Sequence, residues 1–277
     1  MRVSETSNEI EYLYDSISEI AAVGLRNLCE NVPGGKLRKN WHGVSSVEQA
    51  RKLASVGWLN ESDSAMDIAT ESIESIEREH EISSFRPAWD VAGCEVDVAR
   101  YLANEPENMI DYEISPTTRS GRVITVCASV SYSSAVSVGS IKRRGHSVAA
   151  LAFALSKLGF AAELWADVSV RGKDGKSFGR MRVQVKGPND ALDPALIMFA
   201  YSHPAMLRAI VLPVMHEMPQ RFQEALNVGR TYGEPVDSKR DLPDGAIYLP
   251  CIRSEVDVPD AKETLEKYLR ELGILTT

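Results

Sequence analysis

The stretch Cys127–Trp165, CASVSYSSAVSVGSIKRRGHSVAALAFALSKLGFAAELW, gathers residue types that could do chemistry. Ser129, Ser131 and Ser133 place hydroxyls at alternate positions, the spacing of a ligand loop at the end of a strand. Lys142, Arg143 and Arg144 then stand in a row before His146. Cations beside a helix N-terminus, whose free N–H groups carry partial positive charge, make an anion site. With a helix beginning near His146, these three residues are the expected contact patch. The competing reading is a basic loop neutralised by the protein's own acids.

Three familiar active-site patterns fail here. A nucleophile elbow needs G-x-S-x-G, and this stretch has none. A Ser131–His146 pair lacks a legible orienting carboxylate and oxyanion hole. A phosphate loop needs Lys after its second glycine, and His146 follows Gly145 instead. Elsewhere, Cys29, Cys94, Cys127 and Cys251 are scattered and form no CxxC pair, so metal knuckles and redox motifs are not expected. His203 reads as a cap or loop residue, and His216 belongs to no HExxH spacing. Asp90, Glu95 and Asp97 read as a charged helix start. No catalytic residue, metal or cofactor is assigned.

The elements that must position these residues alternate between helix and strand. The apolar spacing of Ile10, Leu13, Ile17, Ile20 and Leu28 predicts a helix over about 7–30. Ser45 or Ser46 caps a helix running to Gly57, bracketed by Trp41 and Trp58. Residues 61–81 hold eight acidic residues and one basic one, with a seam of Met66, Ala69, Ile73 and Ile76. That helix lies on the core or docks on a basic surface, its own or a partner's. A short helix at 94–103 and a strand at 109–114 follow. Then come a β-branched strand at 121–130, a helix at 146–158, and strands at 161–171 and 179–186 joined by a turn at Asp174-Gly175. The segment after 190 reads as mainly helical. Residues 206–216 are open between helix and strand. A strand at 246–252 and a helix framed by Pro259 and Gly273 end the chain. The expected division is an acidic helical region, 1–86, and an α/β core, 87–277.

The order VITVCASVSYS, loop, GHSVAALAFALSKLGFAAELW resembles the start of a von Willebrand A-type domain, over about residues 121–170. The resemblance implies a Rossmann-like three-layer α/β core. In that family a D-x-S-x-S loop binds a divalent cation. Here Ser129, Ser131 and Ser133 occupy the corresponding positions and the Asp is missing. Hard cations are held through carboxylates, so the degenerate loop is expected to hold no metal. The segments WDVAGCEVDVARYLANEPENM, SIKRRGHSVAAL and YSHPAMLRAIVLPVMHE are similar to a group of uncharacterised bacteriophage-encoded proteins, which implies a phage setting.

The 277 residues carry a net charge of −8, distributed as −12 over 1–114, +9 over 115–186 and −5 over 187–277. A pI of about 5.3 disfavours a generic nucleic-acid binder. No run approaches the ~20 apolar residues of a membrane span, and the N-terminus lacks an apolar signal core, so cytoplasmic residence is expected (host cytoplasm for a phage protein). The expected function is a non-enzymatic protein–protein interaction or scaffold protein. A virion or assembly component that self-associates is the first alternative. A nucleic-acid or phosphate binder using residues 115–186 is the second.

Overall fold

The computed structural model describes residues 1–31, 37–79, 86–91, 95–113, 122–133 and 136–275. The chain opens with strands β1 (Arg2–Glu5) and β2 (Glu9–Tyr14), paired antiparallel. The helix expected over 7–30 therefore begins only at α1 (Ile17–Asn31). In EIEYLY the alternation has period two. Ile10, Tyr12 and Tyr14 are buried on one face, and Leu13 points to the other. The three- and four-residue steps that suggested a helix run across a strand–helix boundary.

Helices α2 (Lys39–His42), α3 (Val47–Val56) and α4 (Leu59–Glu79) follow. Ser46 caps α3 by accepting from Gln49 N at 3.2 Å, and Gly57, at φ 72°, ends it. Ala65, Ala69, Ile73 and Ile76 of α4 are buried. Its acidic face meets cations of the same chain: Glu61 binds Lys142, Glu77 binds Lys157 and Glu79 binds Lys262. A separate three-stranded antiparallel sheet comprises β3 (Arg86–Asp90), β4 (Glu95–Val96) and β5 (Met109–Glu113), in the order β3-β5-β4. Between the last two lies the single turn α5 (Val98–Leu102), capped by Asp97.

The central unit is β6 (Val123–Ser129), α6 (Val138–Lys157), β7 (Ala161–Arg171) and β8 (Phe178–Lys186). Helix α6 begins at Val138, eight residues before the expected start. Gly139, Ser140, Gly145 and Ser147 dilute the apolar pattern there, yet Ser140, Gly145 and Ser147 are buried, Gly145 against Ser202 and Met198 of α7. The segment left open at 206–216 is helical. After α7 (Pro194–Ser202) come a π-helical turn (Met206–Val211), α8 (Leu212–Val214) and a 3-10 turn (Met215–Glu217). Then follow α9 (Gln220–Ala225), β9 (Glu234–Pro235), β10 (Ile247–Leu249) and α10 (Ala261–Glu271). Asp260 caps α10, which places Pro259 before the cap rather than inside the first turn.

The main sheet has seven strands in the order β1-β2-β8-β7-β6-β10, with β9 also paired to β7. Strands β2–β8, β6–β7 and β6–β10 pair parallel, and β7–β8 antiparallel. One face carries Ile10, Val126, Leu164, Val168, Met181 and Val183, which share a single apolar core with α1, α3, α4, α6, α7 and α10. The other face is polar. Arg180 Nε donates to Asp167 at 2.7 Å, Thr125 and Gln184 donate to Glu163, and Arg182 pairs with Glu11. Segment 238–240 crosses this face through its carbonyls, with Arg180 donating to Ser238 O and Arg240 O. The molecule is thus α/β with the large helices on one face of a mixed sheet. This corrects the three-layer expectation, because the second face is crossed by segment 238–240, held there by Arg180, rather than by a layer of helices. It also corrects the division at 86/87, since β1, β2, α1, α3 and α4 belong to the main sheet and core.

Candidate functional site

Strand β6 lies between two parallel neighbours, β7 and β10. Ligands of open α/β sheets bind outside the carboxyl ends of strands at such a position. Past Ser129 the chain stays tied to both sides. Val130 N donates to Asp167 O at 2.9 Å, Ile252 N donates to Ser131 O at 3.0 Å, and Ser133 N donates to Ile252 O at 2.9 Å. This fixes the three hydroxyl residues. Ser129 Oγ accepts from Ser131 N at 3.3 Å, so it serves its own backbone. Ser131 Oγ and Tyr132 OH are buried without a hydrogen-bond partner.

A cavity of about 610 Å³ opens at this point. Ser131, Tyr132 and Ser133 form one wall, and Val168, Val170 and Leu207 an apolar one. Its charged lining is Arg208, Arg230 and Arg253 against Glu234, a net charge of +2. Arg208 stands on the π-helical turn, an irregularity that re-aims a side chain relative to a regular helix. Its guanidinium lies 3.9 Å over the Trp41 ring and 5.1 Å from the Tyr132 ring, and Nη1 donates to Trp41 O at 2.8 Å. Arg253 lies 3.5 Å from Asp237. Burial pushes the Tyr132 hydroxyl up to about 12, and Tyr232 is raised for the same reason.

The three cations singled out in the sequence sit in the second turn of α6 and diverge. Lys142 Nζ binds Glu61 at 2.5 Å and lies 5.1 Å over the Trp58 ring. Arg143 donates to Ser140 Oγ at 2.7 Å and faces Glu255 at 3.9 Å. Arg144 is 3 % exposed and donates to Pro250 O at 3.0 Å. The N-terminus of α6 is closed by Glu255, which accepts from Ser137 N at 2.5 Å and from the Ser137 and Ser140 hydroxyls. The protein's own acids therefore occupy the anion site that the sequence suggested.

Ser131 and His146 are not hydrogen-bonded to each other, since Ser131 Oγ and His146 Nε2 both lack a partner. His203 accepts from Ala205 N through Nδ1 at 3.1 Å and sets its ring edge-on to Trp58. Burial lowers its pKa to about 4. Cys127 is buried, with its thiol pushed up to about 12 by desolvation, and Cys251 is raised likewise. Asp97 is an N-cap and also accepts from Trp89 Nε1. Cys94 and the side chains of Asp90 and Glu95 lie outside the described residues. Among the described residues, no three His, Cys, Asp or Glu side chains converge.

Sequence reasoning missed Arg208, Arg230 and Arg253 as a group. They come from three separate segments and no spacing links them. The one local signal was SVSYS, which marked the strand end where they meet. Among the described residues, no single helix is long and apolar enough to cross a membrane.

No curated protein and no solved structure matches the chain. One family model spans residues 2–276, almost the whole sequence, and by that match the chain belongs to the family described as Domain of unknown function (DUF7192).

Proposed function

We propose that this chain is a non-enzymatic interaction protein that receives an acidic segment of a protein partner in the arginine-lined crevice at the end of β6. The observation that carries the reading is the pair of buried, unpartnered hydroxyls, Ser131 and Tyr132, lining a cavity with three arginines and one glutamate. Buried polar atoms without partners are costly, and a carboxylate seated beside them would accept from both hydroxyls. Arg208 is already held by Trp41 and Tyr132, so little side-chain entropy is lost on binding. Val168, Val170 and Leu207 would take the apolar body of a side chain. Among the titratable groups of the lining, burial raises Tyr132 and Tyr232 away from neutrality, which favours binding over proton-transfer chemistry.

The same guanidiniums suit phosphate, so a phosphate or nucleic-acid ligand is the second reading. The order β6, long α6, parallel β7 and antiparallel β8 supports a von Willebrand A-like unit, without the second helical layer of that fold. In that reading Ser129 replaces the acidic anchor. The phage setting and residence in the host cytoplasm or virion are proposed on the sequence resemblance alone. Self-association is proposed alongside and is tested by light scattering.

Fluorescence anisotropy tests the main reading, using a labelled glutamate- and leucine-rich peptide and a labelled single-stranded DNA. The expected result is peptide binding that weakens roughly tenfold or more in Arg208→Ala, the loss of a charge-assisted contact. DNA binding with a steep salt slope, lost in the same variant, would move the conclusion to the second reading. Failure of both probes at low salt would overturn both.

A further inference from the structure

We infer a second, independent site: the small cavity around Arg144, between α6, the end of β10 and the start of α10, binds one compact oxyanion of the size and charge of inorganic phosphate. The cavity has a volume of about 80 Å³. That is room for two or three waters at roughly 30 Å³ each, or for one tetrahedral oxyanion.

The argument starts from Arg144. It is 97 % buried, and its Nε has no hydrogen-bond partner. One N–H group, on Nη2, reaches the carbonyl of Pro250. No carboxylate pairs with it among the described residues. A buried, always-protonated guanidinium whose carboxylate, Asp237, acts on it without a direct ion pair is under-compensated, and a planar fork with a free N–H is the group best matched to an oxyanion.

The rest of the lining agrees. Lys267 brings a second cation and lies 4.9 Å over the Tyr268 ring. Asp257, the carboxylate of the lining, accepts from Arg253 N at 2.9 Å and Ser254 N at 2.6 Å, which keeps it ionised and leaves the lining with a net charge of +1. The hydroxyls of Ser147, Thr264 and Tyr268 donate to the carbonyls of Pro259, Asp260 and Tyr248. The donors left for a guest are those of Arg144 and Lys267, both cationic. This selects an anion over a neutral guest, and the small volume selects a compact one.

The test is calorimetric titration with inorganic phosphate at fixed ionic strength, with chloride as control and acetate as the carboxylate arm, supported by thermal-shift measurements. The full-length protein should bind phosphate at one site, with acetate weaker. Lys267→Ala should weaken phosphate by roughly tenfold, and Arg144→Met should abolish binding, while Arg208→Ala leaves it unchanged. If Arg144→Met does not fold, the Lys267→Ala result decides. Absence of phosphate binding over the chloride control would overturn the inference, as would binding unchanged in both Arg144→Met and Lys267→Ala. Binding lost in Arg208→Ala but kept in Arg144→Met would also overturn it, assigning the anion to the crevice at the end of β6. Loss of the acidic-peptide interaction would leave this site standing.

Discussion

The guanidinium of Arg208 lies 3.9 Å over the indole of Trp41 and donates to that residue's carbonyl at 2.8 Å. This joins the short α2 to the π-helical turn and holds one side of the crevice. Arg208→Ala removes the ring contact and the hydrogen bond. We expect it to lower stability by about 1–2 kcal/mol in urea denaturation and to shift the Trp41 emission. Arg208→Lys should fall between, because an ammonium keeps the charge but loses the planar stack. A variant as stable as the parent, with unchanged emission, would show that the stack does not form in solution.

Ser131 gives the opposite expectation. Its hydroxyl is buried without a partner, so Ser131→Ala removes an unsatisfied group. Stability should be unchanged or up to about 1 kcal/mol higher. Peptide binding in the anisotropy assay should nevertheless weaken. A clear loss of stability would mean that the hydroxyl has a partner in the unliganded protein.

Gly145 lies where α6 packs tightly on α7. A methyl group there would stand 1.6 Å from Ser202 Oγ and 3.0 Å from its Cβ. Helix propensity favours Ala over Gly by about 1 kcal/mol. Overpacking a tight crossing costs about 1–3 kcal/mol. At 1.6 Å the clash wins, so Gly145→Ala should be destabilising in thermal melts. Adding Ser202→Ala removes the nearer atom and should recover part of the loss. Simple additivity of the two changes would contradict the contact.

His203 sets a pH dependence. Burial lowers its folded pKa to about 4, while an unfolded imidazole titrates at about 6.5. Between those values the unfolded chain binds more protons. Stability from this group is complete above pH 6.5 and declines as pH falls toward 4, by up to about 3 kcal/mol. Protonation also ends the acceptor role of Nδ1 toward Ala205 N. His203→Gln should flatten the difference in stability between pH 7 and pH 4.5. An unchanged slope would exclude His203 as its source.

The legible parts of this fold were those in which a local rule dominates. Ser46 and Gly57 bounded α3, and the β-branched run bounded β6. Asp174 and Gly175 marked the β7–β8 turn. The elements that misled were those where tertiary contact overrides local pattern. The start of α6 was hidden because Gly145 is small for its close approach to Ser202 of α7, while Ser140 and Ser147 are buried with their hydroxyls on Glu255 and the Pro259 carbonyl. β2 was hidden because its alternation runs into a true helix at Ile17. At the site, the hydroxyl loop was legible as a strand end. The arginines were not, since chain topology alone brings positions 208, 230 and 253 together. The row at 142–144 was misleading because successive residues on a helix point about 100° apart.

The pairing of β2 with β8 joins residues 9–14 to residues 178–183. On the ribosome, β2 must wait for its parallel neighbour, its inward side chains short of that partner, until residues 178–183 have emerged. Closure of so long a loop is slow. Until then the β1–β2 hairpin exposes an unpaired edge to chaperones and to wrong partners.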